Sequence, residues 1–204
     1  MPQNLLIATR NQKKKRELQV ILSAWNIKLL TLDDIEGMPE VEEDGATFSE
    51  NALKKAQTIA QLSGCITLAD DSGLVVDALG GAPGVFSARF AGVEANDKNN
   101  NLKLLNLMQN VPDEDRTARF ICVIAVADPE GHVNTVQGVC EGKIGVTPKG
   151  QGGFGYDPLF IPSGFSKSFA ELSDMEKNQI SHRGKALQET KVLLERLLGA
   201  EGTI

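Results

Sequence analysis

The chain has 204 residues, 41% hydrophobic and 24% charged, with a formal net charge of −6. That composition suits a globular domain large enough to fold around its own core, and argues against a disordered chain, a fibre or a coiled coil. The acidic total disfavours a general nucleic-acid binder, and no apolar run approaches the ~20 residues needed to cross a bilayer.

No signal peptide is visible at the start. Cys65, Cys122 and Cys140 have no C-x-x-C spacing and read as buried thiols in a reducing cytosol, not as disulfides or a zinc site. No internal repeat or linker divides the chain, so residues 1–204 read as one domain.

Residues 4–9 form a short apolar run fit for a buried strand. Asn11 can cap a helix reaching about residue 24, with Leu18, Ile21, Leu22 and Trp25 on one face. A second strand is predicted over 27–32, then an acidic loop over 33–44. Thr47-Phe-Ser-Glu50 matches a capping box and opens a helix to residue 63, stopped by Gly64. Residues 65–69 read as a strand ending at Asp70-Asp71-Ser72-Gly73, and 74–90 as short strands and turns. A helix over 96–109 precedes a strong β run over 118–127 and a hairpin partner over 132–140. A glycine-rich loop covers 150–157. Helices are predicted over 173–179 and 184–198, the last with Leu187, Val192, Leu193, Leu194 and Leu197 available for packing. This order predicts an α/β protein with a mixed sheet.

Arg10, Lys13, Lys14, Lys15 and Arg16 place five cations in seven residues, at the start of the first helix. Lysines oppose the positive end of a helix dipole, so the cluster calls for an anion such as phosphate, or else is a solvated basic face. The glycine-lysine pattern of a P-loop is absent. Asp70 and Asp71 repel each other unless a divalent cation offsets them, and Mg²⁺ takes one or two carboxylates with water and phosphate oxygens. The alternative is a β-turn with Asp caps. Any of the carboxylates in Glu40-Val41-Glu42-Glu43-Asp44 could complete such a site, or the stretch is a solvated loop. In the segment 150–157, four glycines surround Phe154, whose ring either stacks on a planar base or folds back into the core. Ser181-His182-Arg183, with Lys177 before it, offers hydrogen-bond donors, or is a Ser-capped helix start with solvated basic residues. With two histidines and scattered thiols, nucleophilic catalysis has little support.

Together these residues form an ordered set: Thr9-x-Asn11-x-x-Lys14, Thr47-Phe-x-Glu50-Asn51-Ala52, Ala69-Asp70-Asp71-Ser72-Gly73-Leu74, Gly80-Gly81-Ala82-Pro83-Gly84, Gly152-Gly-Phe-Gly-Tyr-Asp157 and Ser181-His-Arg-Gly184. The sequence resembles the dITP/XTP pyrophosphatase family, also called inosine triphosphate pyrophosphatases or non-standard purine NTP pyrophosphatases, over nearly the whole chain. The family usually has glycine where this chain has Arg10. The resemblance implies an ITPase-like fold, a long twisted mixed sheet flanked by helices, with two lobes and a central cleft. It implies Mg²⁺-dependent hydrolysis of ITP, dITP or XTP to the monophosphate and pyrophosphate, in a cytoplasmic homodimer with no nucleic-acid or membrane partner. Thr9, Arg10, Asn11, Gln12, Lys13 and Lys14 would hold the triphosphate. Asp71 would bind Mg²⁺ and accept the proton of the attacking water, with Asp70 in support and Glu43 as second metal ligand. Ser72 would contact substrate and Lys55 a phosphate. Phe154, Gly155, Tyr156, Asp157, Lys177, His182 and Arg183 would form the base pocket. Competing readings are a related pyrophosphatase acting on other modified nucleotides and a non-catalytic nucleotide-binding module.

Overall fold

The computed structural model describes residues 4–22 and 27–197. Six strands form one sheet in the order β2-β1-β3-β4-β5-β6: β1 (Asn4–Ile7), β2 (Lys28–Thr31), β3 (Ile66–Val76), β4 (Thr117–Ala127), β5 (Val133–Ile144) and β6 (Phe160–Pro162). β1 pairs in parallel with β2 and β3, whereas β5 and β6 are antiparallel, so the sheet is mixed as expected. The helices are α1 (Gln12–Leu22), α2 (Phe48–Ser63), α3 (Asp97–Leu107), α4 (Asp174–Ile180) and α5 (His182–Leu197).

The chain divides into two compact units. The first comprises the described residues up to Asp71, Val123–Gln137 and the segment from Ala186 onward; the second comprises Ser72–Cys122 and Gly138–Lys185. In the first unit Leu5, Leu6 and Ile7 of β1 are buried with Leu18 and Leu22 of α1 and with Ala52, Ala56, Ile59 and Ala60 of α2. A parallel strand covered on both faces is apolar at every position, which is why Leu5-Leu6-Ile7 shows no alternation. α2 starts at the predicted capping box: Thr47 Oγ1 accepts the Glu50 N–H at 3.1 Å, and Gly64 ends the helix in the left-handed conformation.

In the second unit Leu74, Val76, Leu104, Met108, Phe120, Ile144, Tyr156, Phe160 and Phe169 belong to one apolar cluster. Phe120 meets the Phe160 ring edge-on at a centroid separation of 4.7 Å. Arg116 is buried beside this core, a position that composition alone would not assign to an arginine. Its guanidinium donates to the carbonyls of Ile144, Met108 and Gly145 at 2.7, 2.7 and 2.9 Å, so it ties the end of α3 to the end of β5.

Three expectations need correction. β3 does not stop before the aspartates: it runs through Asp70 and Asp71 to Val76, since neighbouring strands and buried side chains sustain the extended backbone there. The segment after it forms 3-10 turns at Asp77–Leu79 and Gly84–Arg89 in place of separate short strands. α5 begins at His182, two residues earlier than expected, because Ser181 Oγ accepts the Gly184 N–H at 3.1 Å and draws His182 and Arg183 into the first turn. Leu187 and Leu194, seven residues apart and so on one face of α5, are buried, while Val192 is exposed. Trp25, Leu198 and the side chain of Leu197 lie outside the described residues.

Candidate active site

The first unit gathers the basic first turn and the aspartates. Asn11 Oδ1 accepts the N–H groups of Lys13 and Lys14 at 3.0 and 3.2 Å, which confirms it as the cap of α1. Two of the N–H groups that a helix start could offer an anion are thereby taken, and the positive charge is carried by side chains. Thr9 Oγ1 accepts the Asn11 N–H at 3.3 Å and holds the turn. Lys14 Nζ lies 3.3 Å from Asp70 Oδ2 and Lys15 Nζ lies 2.6 Å from Asp33 Oδ2. The chain's own carboxylates thus meet two of the lysines in this cluster. Gln12 and Lys13 are exposed. Arg10, which stands where the family usually has glycine, donates to the Met38 carbonyl at 2.7 Å and so braces the acidic loop.

Asp70 and Asp71 are both buried. Consecutive strand residues point to opposite faces, so helix α1 meets one through Lys14 and helix α2 meets the other through Asn51. Asn51 Nδ2 donates to Asp71 Oδ2 at 2.9 Å. Burial pushes the Asp71 carboxyl above its ordinary value, and the Glu43 carboxylate adds to this; Lys14, Lys55 and the Asn51 amide pull the other way. Lys55 Nζ is buried, donates to the Asp70 carbonyl at 2.6 Å and forms an ion pair with Glu43.

The second unit gathers the aromatic loop and the basic start of α5. Phe154 is half-buried, with Lys177 Nζ 5.0 Å from its ring centroid and the Arg183 guanidinium carbon 5.9 Å from it. Lys177 is buried and lies 2.7 Å from Asp157 Oδ2. Gly153 has φ +67°, and a Cβ there would collide with the Asp157 carboxylate, so only glycine lets the loop fold over that group. Asn101 of α3 donates to the Gly155 carbonyl at 2.8 Å. Arg183 donates to Ser72 Oγ at 2.9 Å, and the His182 ring stacks on Phe120 at a centroid separation of 4.7 Å. His182 and Arg183 are 5% and 2% exposed, which excludes the solvated basic face. Tyr156 is turned into the apolar core and donates its hydroxyl to the Ser87 carbonyl at 2.9 Å, so its side chain serves packing.

The expected residues therefore fall into two sets. Thr9, Asn11, Lys14, Glu43, Lys55, Asp70 and Asp71 are in the first unit, and Ser72, Phe154, Gly155, Asp157, Lys177, His182 and Arg183 in the second. Sequence reasoning assigned no role to Asn51 or Asn101. An asparagine carries no charge pattern, and its value here lies in contacts made 20 and 54 residues away.

Among the described residues no group of three or more His, Cys, Asp or Glu side chains could hold a metal alone. The donor chemistry fits Mg²⁺ nonetheless. Asp71 and Glu43 are both carboxylates and interact electrostatically, and a hard cation that keeps several waters needs only one or two such ligands.

A sequence model of the Ham1 family matches residues 5–192. The chain belongs to the Ham1 family. It is 52% identical over 193 residues to the dITP/XTP pyrophosphatase of Desulforamulus reducens, covering 95% of this chain and 96% of that protein. It is likewise 52% identical over 198 residues to the dITP/XTP pyrophosphatase of Geobacter sulfurreducens, covering 97% and 98%. Among solved structures, a HAM1 protein from Coxiella burnetii superposes with a TM-score of 0.86 at 41% identity, covering 95% of this chain and 99% of that one. The Staphylococcus aureus Ham1 protein gives 0.85 at 38% identity, covering 95% and 98%.

Proposed function

We propose that this protein hydrolyses deaminated purine nucleoside triphosphates (ITP, dITP and XTP) between the α and β phosphates, releasing the monophosphate and pyrophosphate. The observation that carries the reading is the buried Asp71 carboxyl, held by Asn51 in a site that also contains Lys14, Lys55 and Glu43. The names of the relatives, together with the identity over nearly the whole chain, support the same reading.

Asp71 accepts the proton of the attacking water; its burial raises its basicity towards that task. Asp71 and Glu43 would hold Mg²⁺, which when bound neutralises charge on the polyphosphate. Lys14 supplies fixed positive charge for the leaving pyrophosphate, and burial makes that charge count for more than it would in water. Lys14 exchanges its contact with Asp70 for one with phosphate, so the ion pair keeps the ammonium in place between turnovers.

Hypoxanthine and xanthine carry an oxygen at position 6, where adenine carries an amino group. His182 and Arg183 donate to the oxygen and would be left facing another donor by adenine. A buried group left unpaired is what generates large discrimination. The Phe154 ring stacks on the base, a contact that tolerates any purine.

Steady-state kinetics on ITP, XTP, GTP and ATP, with pyrophosphate detection and with or without Mg²⁺, tests the proposal. Turnover of ITP and XTP well above ATP, lost in EDTA, is expected. Absence of pyrophosphate release from every substrate would sink it.

A further inference from the structure

The segment that carries Glu43 is gripped by one face of α2. Glu50 accepts the Ala46 N–H at 2.7 Å, Lys54 Nζ lies 2.6 Å from Asp44 Oδ1, and Lys55 pairs with Glu43. Asn51 completes this set: its Oδ1 accepts the Gly45 N–H at 2.8 Å. Glu50, Lys54 and Lys55 hold the segment by its polar surface. Asn51 is 1% exposed and also reaches the Asp71 carboxylate, by the 2.9 Å bond from Nδ2, beside Lys55, which reaches the neighbouring Asp70 carbonyl at 2.6 Å. The Asn51 amide thus spans the two chain segments that bear the acidic groups, as the Lys55 ammonium does, and of these two it is the one hydrogen-bonded to the Asp71 carboxylate itself.

The amide's two ends are not interchangeable here. Gly45 offers an N–H, so Oδ1 must face it, and Nδ2 is left to face Asp71. The orientation is fixed by backbone, and the carboxylate is fixed in turn. Gly45 is matched to the arrangement: a Cβ at that position would lie 2.7 Å from Asn51 Oδ1 and 2.8 Å from Glu50 Cβ. Only a residue without a side chain allows the loop to come this close to α2.

We propose that Asn51, seated by Gly45, is a positioning residue that locks Asp71 and the Glu43 segment into one register, so that both carboxylates can serve a single divalent cation. The inference rests on the metal reading of the proposed function. The role assigned to Asn51 needs no contact with substrate or metal. It acts through Asp71 on one side and through the Gly45 backbone on the other. Residues that orient ligands in this way typically affect metal affinity or activity by about 10- to 100-fold when replaced.

The test compares the wild type with Asn51→Leu, which keeps approximate volume and loses both hydrogen bonds, and with Gly45→Ala, which disturbs the seat and leaves Asn51 in place. Binding of Mn²⁺ alone is followed by electron paramagnetic resonance of the free ion. kcat and KM for ITP are measured at saturating Mg²⁺, and urea unfolding reports stability. The expected result for each variant is Mn²⁺ affinity and kcat both reduced by about tenfold or more, with KM within about threefold of wild type. Gly45→Ala is read in full even where Asn51→Leu proves too unstable to purify. Mn²⁺ affinity and kcat within twofold of wild type, in a variant that is folded, overturn the proposal. So does a loss of urea stability that leaves both unchanged, since that is a merely structural role. A wild type that binds Mn²⁺ yet turns over no ITP refutes the proposed function and leaves the Mn²⁺ comparison to decide the role of Asn51.

Discussion

Asp157 and Lys177 form a buried ion pair 2.7 Å apart, and the same carboxylate oxygen accepts the Phe154 N–H at 2.8 Å. The charge that neutralises Lys177 is therefore also the group that shapes the aromatic loop. Removing it has two consequences of different kinds. Asp157→Ala strands a buried ammonium, for which a cost of about 3–5 kcal/mol is expected in urea unfolding. Asp157→Asn keeps an acceptor for the Phe154 N–H and should cost less. In both variants KM for ITP should rise more than kcat falls, because the loop serves binding. An unchanged KM in a folded variant would remove this loop from substrate recognition.

Asp71→Asn should lower kcat for ITP by at least about a hundredfold with the fold retained, the scale of losing a general base. Near-normal turnover would take Asp71 out of the mechanism.

The same substitution makes a stability prediction of opposite sign. Burial raises the folded-state value of Asp71 above its ordinary 3.8, so the folded protein binds this proton more tightly than the unfolded chain does. That contribution is present at acid pH, below the unfolded value, and is lost as pH rises through the folded value. At pH 7 in EDTA the buried carboxylate costs stability, and Asn should raise the melting temperature by a few degrees. The gain should shrink as pH falls and the wild-type carboxyl is protonated. Calorimetry at pH 7 and in acid checks this; a lower melting temperature for the variant at pH 7 would contradict it.

Arg183→Ala should narrow the ratio of ITP to ATP hydrolysis, since the guanidinium is a buried donor held on Ser72. A ratio that does not move would place base selection elsewhere.

Cys140 is buried, and burial pushes its thiol up to about 11. Alkylation requires the thiolate. Iodoacetamide at pH 8 should therefore modify the half-buried Cys65 in the native protein and spare Cys140 and the buried Cys122 until urea is added. Mass spectrometry of the labelled peptides decides it, and native labelling of Cys140 at the rate seen in urea would refute it.

Much of the framework was legible without coordinates. The Asn11 and Thr47 caps, the Gly64 stop and the apolar runs of β1 and β4 depend on hydrogen bonds and periodicities within a few residues, so local order in the chain is enough to specify them. The ordered motifs likewise pointed to the family. Local order could not show that β3 passes straight through its two aspartates, because an Asp-Asp-Ser-Gly stretch by itself favours a turn and only flanking elements hold it extended. Nor could it show which cation meets which carboxylate. Lys14 rests on Asp70, and Arg183 is buried on Ser72, 111 residues away; neither pairing shows in the local sequence. Desolvation and partner choice arise from groups that the fold brings together across long separations. The residue types in this protein's candidate site were set by its sequence, whereas their protonation, pairing and orientation were decided only by tertiary packing.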